Sequence, residues 1–483
     1  MGSDLDEKFT EIVQLMEDNQ IEFVDFKVVD LFGHWRHLTI PAKKFTKEFT
    51  RRGIGFDASS YGYELVENSD LLFVPDVQTA KLEPTENREV VSIVSNIYRL
   101  SQDNQLEPYP QDPRRTVSRA IQYLRTTEIA EDFLVSPEFE FYLFDEADYH
   151  YGHTKGGFSV RSSETPEEGL VEGDVERNQG HYLLGSLGYH APRPADSVME
   201  LRNRIVSYLE REGIDVKYHH HETGAAGESE IEVGFSSLLD SADNTMYIKQ
   251  IVKVIADLEG MSATFMPKPL GGLPGNGLHL HHYLVKDGEN MFFGDRYAGL
   301  SKLALFFLGG LLEHGRSLMA LTNPSTNSYR RMVPGHEAPT DLVFAKSNRS
   351  AAIRIPGYVR SDSNTRLELR TVDATCNPYL AYSAILMAGI DGIRNQIDPE
   401  KLGYGPLEKN VYELSEKEKQ GIKSTPGSLE GAIKALENDH QYLLEGDVYT
   451  EKQLTNWISL KKHEISKFHD KPHPYEHMLY FDV

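Results

Sequence analysis

Apolar and polar positions alternate along four short stretches of the chain, and the polar positions in them are almost all Glu, His or Arg. They are SPEFEFYLF with Glu138 and Glu140, SEIEVGF with Glu230 and Glu232, GLHLHHYL with His279 and His281, and RLELR with Arg366, Glu368 and Arg370. A period of two predicts β-strands, each with its charged groups on one face and its Phe, Ile, Val or Leu on the other. Any one of them alone reads as an ordinary antiparallel strand with a wet face. Solvated faces, however, usually mix Thr, Ser, Lys and Gln. Four strands of this composition in one sheet would form a concave wall of carboxylates, imidazoles and guanidiniums, suited to divalent metal and polyphosphate.

Helical periodicity and capping residues predict helices over 4–18, 196–212, 241–259, 297–321, 377–395, 428–438 and 451–469. A further helix runs from the Pro-rich PYPQDPRR (108–115) to about 127. Apolar runs at 21–29 and 37–41 and FVPD at 73–76 complete a small α+β unit over residues 1–107, and 108–483 reads as a large α+β domain. The polar, Gly-rich segment 149–180 is expected to be an extended surface loop.

Composition narrows the function classes. A net charge of −24 without clustered Lys and Arg argues against a nucleic-acid partner. The longest apolar run, Leu303–Leu312, is too short to cross a bilayer, and the acidic start lacks the basic and apolar regions of a signal peptide. A cytoplasmic protein without a membrane partner is expected. The single cysteine, Cys376, excludes an internal disulfide and reads as a buried structural position. No Walker loop, GxSxG elbow, HExxH or CxxC pair occurs, so any use of ATP must proceed without a P-loop.

Glu138, Glu140, Glu222, Glu230 and Glu368, with His279, can supply two sites of three ligands each. Hard oxygen donors with one imidazole suit Mg²⁺ or Mn²⁺ better than zinc. In HHHE at 219–222 the three histidines read as a partly buried, satisfied cluster, and only Glu222 is assigned to metal. Arg331, Arg349, Arg354, Arg366 and Arg370 are either surface ion pairs or, beside a metal pair, the stabilisers of a transferring phosphate. GGLPGNG at 271–277 leads into a strand and is expected to let backbone approach a small ligand.

Taken in order, FDASSYGYELVENSD, PEFEF, HHHETGAAGESE, ATFMPKP, GNGLHLH, NPSTNSYRRMVPGHEAP, NRSAAIRIP, RLELR, NPYLAYSAILMAGIDGI and HPYEHMLYFDV resemble type I glutamine synthetase, the glutamate–ammonia ligases, over nearly the whole chain. The resemblance implies a small β-grasp-like domain and a catalytic domain built on a curved antiparallel sheet flanked by helices. It implies one metal held by Glu140, Glu222 and Glu230 and a second, bridging the ATP phosphates, held by Glu138, His279 and Glu368. Arg331 then clamps the glutamate α-carboxylate, Gly275 lies beside the substrate, Arg349, Arg354 and Arg370 surround the phosphoryl group, and His281 and Arg366 touch ATP. Asp57 corresponds to an ammonium-site aspartate contributed across a subunit boundary, Tyr189 and Glu222 complete that pocket, and Glu337 sits in a flap over the intermediate. Such shared sites imply a homo-oligomer, two stacked six-membered rings in this family.

Some positions depart from the family pattern. Pro274 replaces an Asn whose amide contacts glutamate, with Asn276 as a candidate substitute, and Tyr283 and Ser363 replace a Ser and a Lys on the nucleotide side. Tyr412 aligns with a tyrosine that is adenylylated in some members; the preferred reading is an unmodified surface tyrosine. Two alternatives stay open beside ammonia ligation: a γ-glutamyl ligase for a larger amine, such as a polyamine or ethanolamine, and a non-catalytic homologue.

Overall fold

The computed structural model describes residues 2–64, 66–165, 180–333, 338–359, 364–415 and 421–480. Two sheets organise the chain. The smaller has seven strands: β1 (Phe23–Val29), β2 (Trp35–Pro41), β3 (Ile54–Asp57), β4 (Asp70–Pro75), β5 (Lys81–Pro84), β6 (Glu89–Leu100) and β7 (Leu106–Pro108). Their order is β2-β1-β6-β4-β3, with β5 and β7 also on β6, and the central β1–β6 pair is parallel. The twelve-residue β6 is missing from the sequence reading, because EVVSIVSNIYRL mixes runs of apolar residues with no clean alternation. Its middle, 91–95, is buried on both faces, so no wet face sets up an alternation.

β8 (Asp132–Phe144) is followed by an exposed hairpin of β9 (Glu146–Tyr151) and β10 (Gly156–Arg161). This corrects the expected surface loop over 149–180: strand pairing reaches to Arg161, and 166–179 lie outside the described residues. The larger sheet adds β11 (Val216–His221), β12 (Glu228–Val233), β13 (Ser236–Ser237), β14 (Ser262–Thr264), β15 (Leu278–Lys286), β16 (Glu289–Asn290), β17 (Phe344–Lys346), β18 (Ile353–Ile355) and β19 (Leu367–Leu369). Its order is β11-β12-β8-β15-β19-β18-β17, so the strands of all four alternating stretches are neighbours, with the short β13, β14 and β16 at the margins.

Helices back this sheet. Pro378–Arg394 is buried over most of its length and starts on Asn377, whose side chain accepts from the Tyr379 N–H, with Pro378 in the first turn. It lies against Lys302–Glu313 at near-backbone contact: a Cβ on Gly310 would meet the Ala388 carbonyl at 2.0 Å, and one on Gly389 would meet the Phe307 ring at 2.1 Å. The expected helix over 297–321 is two helices, Lys302–Glu313 and Gly315–Thr322. Its start moves to Ser301, whose hydroxyl caps the Ala304 N–H.

The break falls at His314, whose Nε2 lies 2.9 Å from Asp391 and Nδ1 2.9 Å from Asp439, with Tyr442 stacked on the ring. Burial opposes the charge, but the two carboxylates raise His314 to a pKa of about 9. In the unfolded chain the group titrates near its ordinary value of about 6.5. The triad's stabilisation, on the order of 3 kcal/mol, is therefore complete below that value and lost as pH rises through about 9. The gap in thermal stability between the native chain and His314→Gln is expected to be widest near pH 6 and to close by about pH 10, as measured by unfolding scans across that range.

Candidate active site

Strand register aligns the charged groups into rows. Glu232, Glu138 and His279 stand opposite one another on β12, β8 and β15, and His281, Glu368 and Arg354 on β15, β19 and β18. A further row sets His220 beside Glu230 and Glu230 beside Glu140, on β11, β12 and β8. The wall faces one cavity of about 1130 Å³, lined also by Tyr189, Pro274, Gly275, Arg331, Arg349, Arg366 and Arg370.

Among the described residues two donor clusters lie wholly on the cavity surface, and a third, Glu138, Glu232 and His281, reaches behind it. Glu138, His279 and Glu368 each offer a ligand atom within 4.8 Å of the others, and so do His220, Glu222 and Glu230. The second cluster brings His220 beside Glu222, where the sequence assigns only Glu222 of HHHE to metal. His220 Nε2 is 3.4 Å from Glu230, whereas Glu140, expected in that cluster, lies outside it and accepts from the Gly277 N–H at 2.5 Å. His219 Nδ1 is buried without a hydrogen-bond partner, so the three histidines are not all satisfied.

Burial and neighbouring charges shift the wall's carboxyls in opposite directions. Burial works against ionising Glu138, yet His281 and His279, bonded to its two oxygens at 2.6 and 3.0 Å, keep it well below the usual carboxylate range. Glu368 is fully buried, and there too burial opposes the charge while Arg370 and Arg354, donating to its two oxygens at 2.7 and 2.5 Å, pull its pKa down. Glu230 moves the other way: burial and the nearby Glu138, Glu222 and Glu140 push its carboxyl well above the ordinary value.

The remaining expected residues fall into three groups. Arg331 is buried, donates to the carbonyls of Thr371 and Val372 at 3.1 and 3.3 Å, and reaches to 3.3 Å from His279 Nε2. The glycine loop packs directly on it: a Cβ on Gly277 would come within 2.6 Å of the Arg331 guanidinium, and one on Gly275 within 2.2 Å of the Pro267 carbonyl. Arg349 places its guanidinium 6.0 Å over the Tyr189 ring, and its carbonyl accepts from Arg370.

His281 is a different case. It is fully buried and not on the cavity surface, with Nε2 on Glu138 and Nδ1 accepting from Arg366 Nε at 3.2 Å. It braces two wall residues where contact with a nucleotide was expected. Asn276 is buried and not on the cavity surface, its amide nitrogen donating to the Met266 carbonyl at 2.8 Å and its amide oxygen without a hydrogen-bond partner. Tyr283 packs edge-on against Phe235.

Asp57 is exposed at the end of β3, bonded to Ser59 and Ser60, and does not line the cavity of its own chain. Glu337 and Ser363 lie outside the described residues, and Tyr412 is placed only as part of a single helical turn, Val411–Glu413. Several cavity residues escaped the sequence reading, among them Glu228, Tyr358 and Lys217. Lys217 donates to Glu232 at 2.5 Å and to Ser136 at 2.8 Å, and a register shift between Val216 and Tyr218 puts it on the wall. A bulge breaks the period of two, so no alternation could have revealed it.

A family model for the catalytic domain of glutamine synthetase matches residues 110–480, and one for its beta-grasp domain matches residues 20–100. The chain belongs to the glutamine synthetase family. It is 42% identical over 474 residues to a glutamine synthetase of Aquifex aeolicus and 40% identical over 476 residues to one of Nostoc sp., covering 98% or more of each chain. Its fold is similar to that of Plasmodium falciparum glutamine synthetase, with a TM-score of 0.86, 26% identity and 98% of each chain covered. A GmaS/ADP complex follows at a TM-score of 0.79 and 27% identity, over 98% of this chain and 99% of that one.

Glutamine synthetases are ATP-dependent ligases that work with divalent metal, and the wall fits that requirement. Both donor clusters offer carboxylate oxygen with a single imidazole, the set that hard cations take. The raised pKa of Glu230 marks a place where a divalent cation would relieve repulsion among buried carboxylates.

Proposed function

We propose that the chain ligates ammonia to the γ-carboxylate of glutamate at the expense of ATP, through γ-glutamyl phosphate, giving glutamine, ADP and phosphate. The observation that carries this reading is Glu368: one buried carboxylate belongs to a donor cluster and also receives Arg354 and Arg370, so cation and guanidinium positions converge on a single point of the cavity.

In this reading Glu138, His279 and Glu368 hold one Mg²⁺ or Mn²⁺, and Glu222 and Glu230, with Glu140 or His220, hold another. When bound, the cations draw charge from the phosphate oxygens and orient them. Arg331 pairs with the glutamate α-carboxylate, and Gly275, without a side chain, leaves room for the substrate beside it. Arg349, Arg354 and Arg370 spread the charge of the γ-phosphoryl group as the glutamate γ-carboxylate attacks it. Arg366, on the cavity wall, contacts the nucleotide, with His281 fixing its position. Asp57 of a neighbouring subunit takes a proton from ammonium in a pocket completed by Tyr189 and Glu222, and the ammonia formed displaces phosphate. Glu337 shields the acyl phosphate from water.

Because Asp57 stands outside its own cavity, the active unit is an oligomer with sites between subunits, in stacked hexameric rings of a cytoplasmic enzyme. We place the division between the two units of the chain near residue 108.

The test is ATP-dependent phosphate release with glutamate and Mg²⁺, run in parallel with ammonium, putrescine, ethanolamine and no amine. Stimulation by ammonium of at least about tenfold over every other amine is expected. Stimulation by a larger amine would move the acceptor assignment to the alternative that Pro274 permits, and silence throughout would contradict the reading.

A further inference from the structure

Away from the cavity surface, Glu164 gathers the segments behind the ammonium side of the site. It is fully buried, and its carboxylate accepts from the Ser197 N–H and hydroxyl, both at 2.9 Å, the Gly227 N–H at 2.6 Å and His221 Nε2 at 2.9 Å. On the other side of the imidazole, His221 Nδ1 donates to the Glu222 carbonyl at 2.7 Å. The ring therefore bridges Glu164 to the backbone of Glu222.

The same bridge holds the segment that carries Tyr189. The Leu183 N–H donates to the Glu164 carbonyl, the Gly188 N–H to Thr223 and the His190 N–H to His221. Gly188 admits nothing larger, since a Cβ there would lie 2.5 Å from the Glu222 carbonyl and 2.7 Å from the His221 ring. Gly227, the fourth contact of Glu164, closes the turn between β11 and β12, whose far arm bears Glu230.

We infer that Glu164 and His221 are positioning residues for the ammonium step, setting Glu222 and the Tyr189 segment as one unit from behind the site. The inference rests on the reading that Glu222 holds metal and that Tyr189 lines the ammonium pocket. Neither residue touches substrate; each acts through the backbone it fixes, as outer partners do for metal ligands generally. Glu164→Gln keeps the volume but turns a donor toward groups that themselves donate. His221→Asn keeps a donor for the Glu222 carbonyl and loses the reach to Glu164.

The test is a double-mutant cycle on the full-length enzyme, with Mn²⁺ titration by calorimetry beside the KM for ammonium and for ATP. Each single variant is expected to weaken Mn²⁺ binding and to raise the ammonium KM about tenfold, leaving the ATP KM within about twofold, and the double variant to be no worse than either single. Ser197→Ala, which removes one of the four donors to Glu164, gives a smaller change in the same direction and serves if the others do not fold. Unchanged Mn²⁺ affinity, an equal rise in the ATP KM, or additive effects in the double variant would overturn the inference. If the native enzyme shows no response to ammonium the functional reading falls, and the Mn²⁺ titration alone still decides the linkage.

Discussion

Glu368→Gln is expected to lower glutamate-dependent phosphate release by about 10³-fold or more, the largest effect of any single change in the cavity wall. The carboxylate holds three roles at one place. It accepts from Arg354 and Arg370, it is a member of the donor cluster with Glu138 and His279, and it is fully buried. Glutamine retains the volume but removes the charge, so two guanidiniums face a neutral amide in a low-dielectric setting and a hard-cation ligand is lost. Removing one partner of a buried ion pair costs about 3–5 kcal/mol where the other stays charged. The folded state should therefore be less stable as well, and far-ultraviolet circular dichroism at low temperature separates loss of fold from loss of chemistry. Activity within about tenfold of the native enzyme would show that phosphoryl transfer does not pass through this residue.

The second large effect is expected at Asp57. Asp57→Ala should slow amide formation by about 10²-fold or more while leaving glutamate-dependent ATP cleavage in the absence of ammonium within a few fold, because in the proposed function the residue removes a proton only after the acyl phosphate has formed. Its position separates it from the wall: it is exposed on β3, and its pKa is lowered by the Ser59 hydroxyl and N–H, so it stands ionised as a base must. Subunit mixing gives the sharper readout. Enzyme reassembled from Asp57→Ala and Glu368→Gln subunits should recover activity, since some sites then combine a native wall with a native Asp57. Identical defects of the two variants in both half-reactions, with no recovery on mixing, would contradict the division of labour and the shared site together.

Much of the wall was legible because the relevant period is two. In PEFEF and GLHLH the alternation fixes which side chains share a face, and burial of Phe139, Phe141, Leu278 and Leu280 on the opposite face enforces it. Rules of this kind failed where structure departs from period. Lys217 reaches the cavity through a bulge, and β6 hid because both faces of its middle are buried. The break at His314 follows from carboxylates 77 and 125 residues away in sequence, which no local pattern can announce. Side-chain direction was the other limit. His281 and Asn276 sit in the motifs where cavity residues were expected, yet both His281 nitrogens and the Asn276 amide nitrogen are taken up by neighbouring protein groups. His220, not assigned to metal from the sequence, lies within ligand distance of Glu222 and Glu230 because β11 pairs with β12.

The measurement that bears most directly on the central claim is the fate of oxygen. With glutamate labelled in its γ-carboxylate by heavy oxygen, and with ATP, Mg²⁺ and ammonium present, attack of that carboxylate on the γ-phosphate places a labelled oxygen in the bridge of the acyl phosphate. Displacement by ammonia then leaves it on the released phosphate. One labelled oxygen per phosphate formed is the expected result, read by mass spectrometry. Unlabelled phosphate alongside glutamine would mean that ATP is cleaved by water or by another group, and the assignment of Glu368, Arg354 and Arg370 to γ-glutamyl phosphate formation would be wrong.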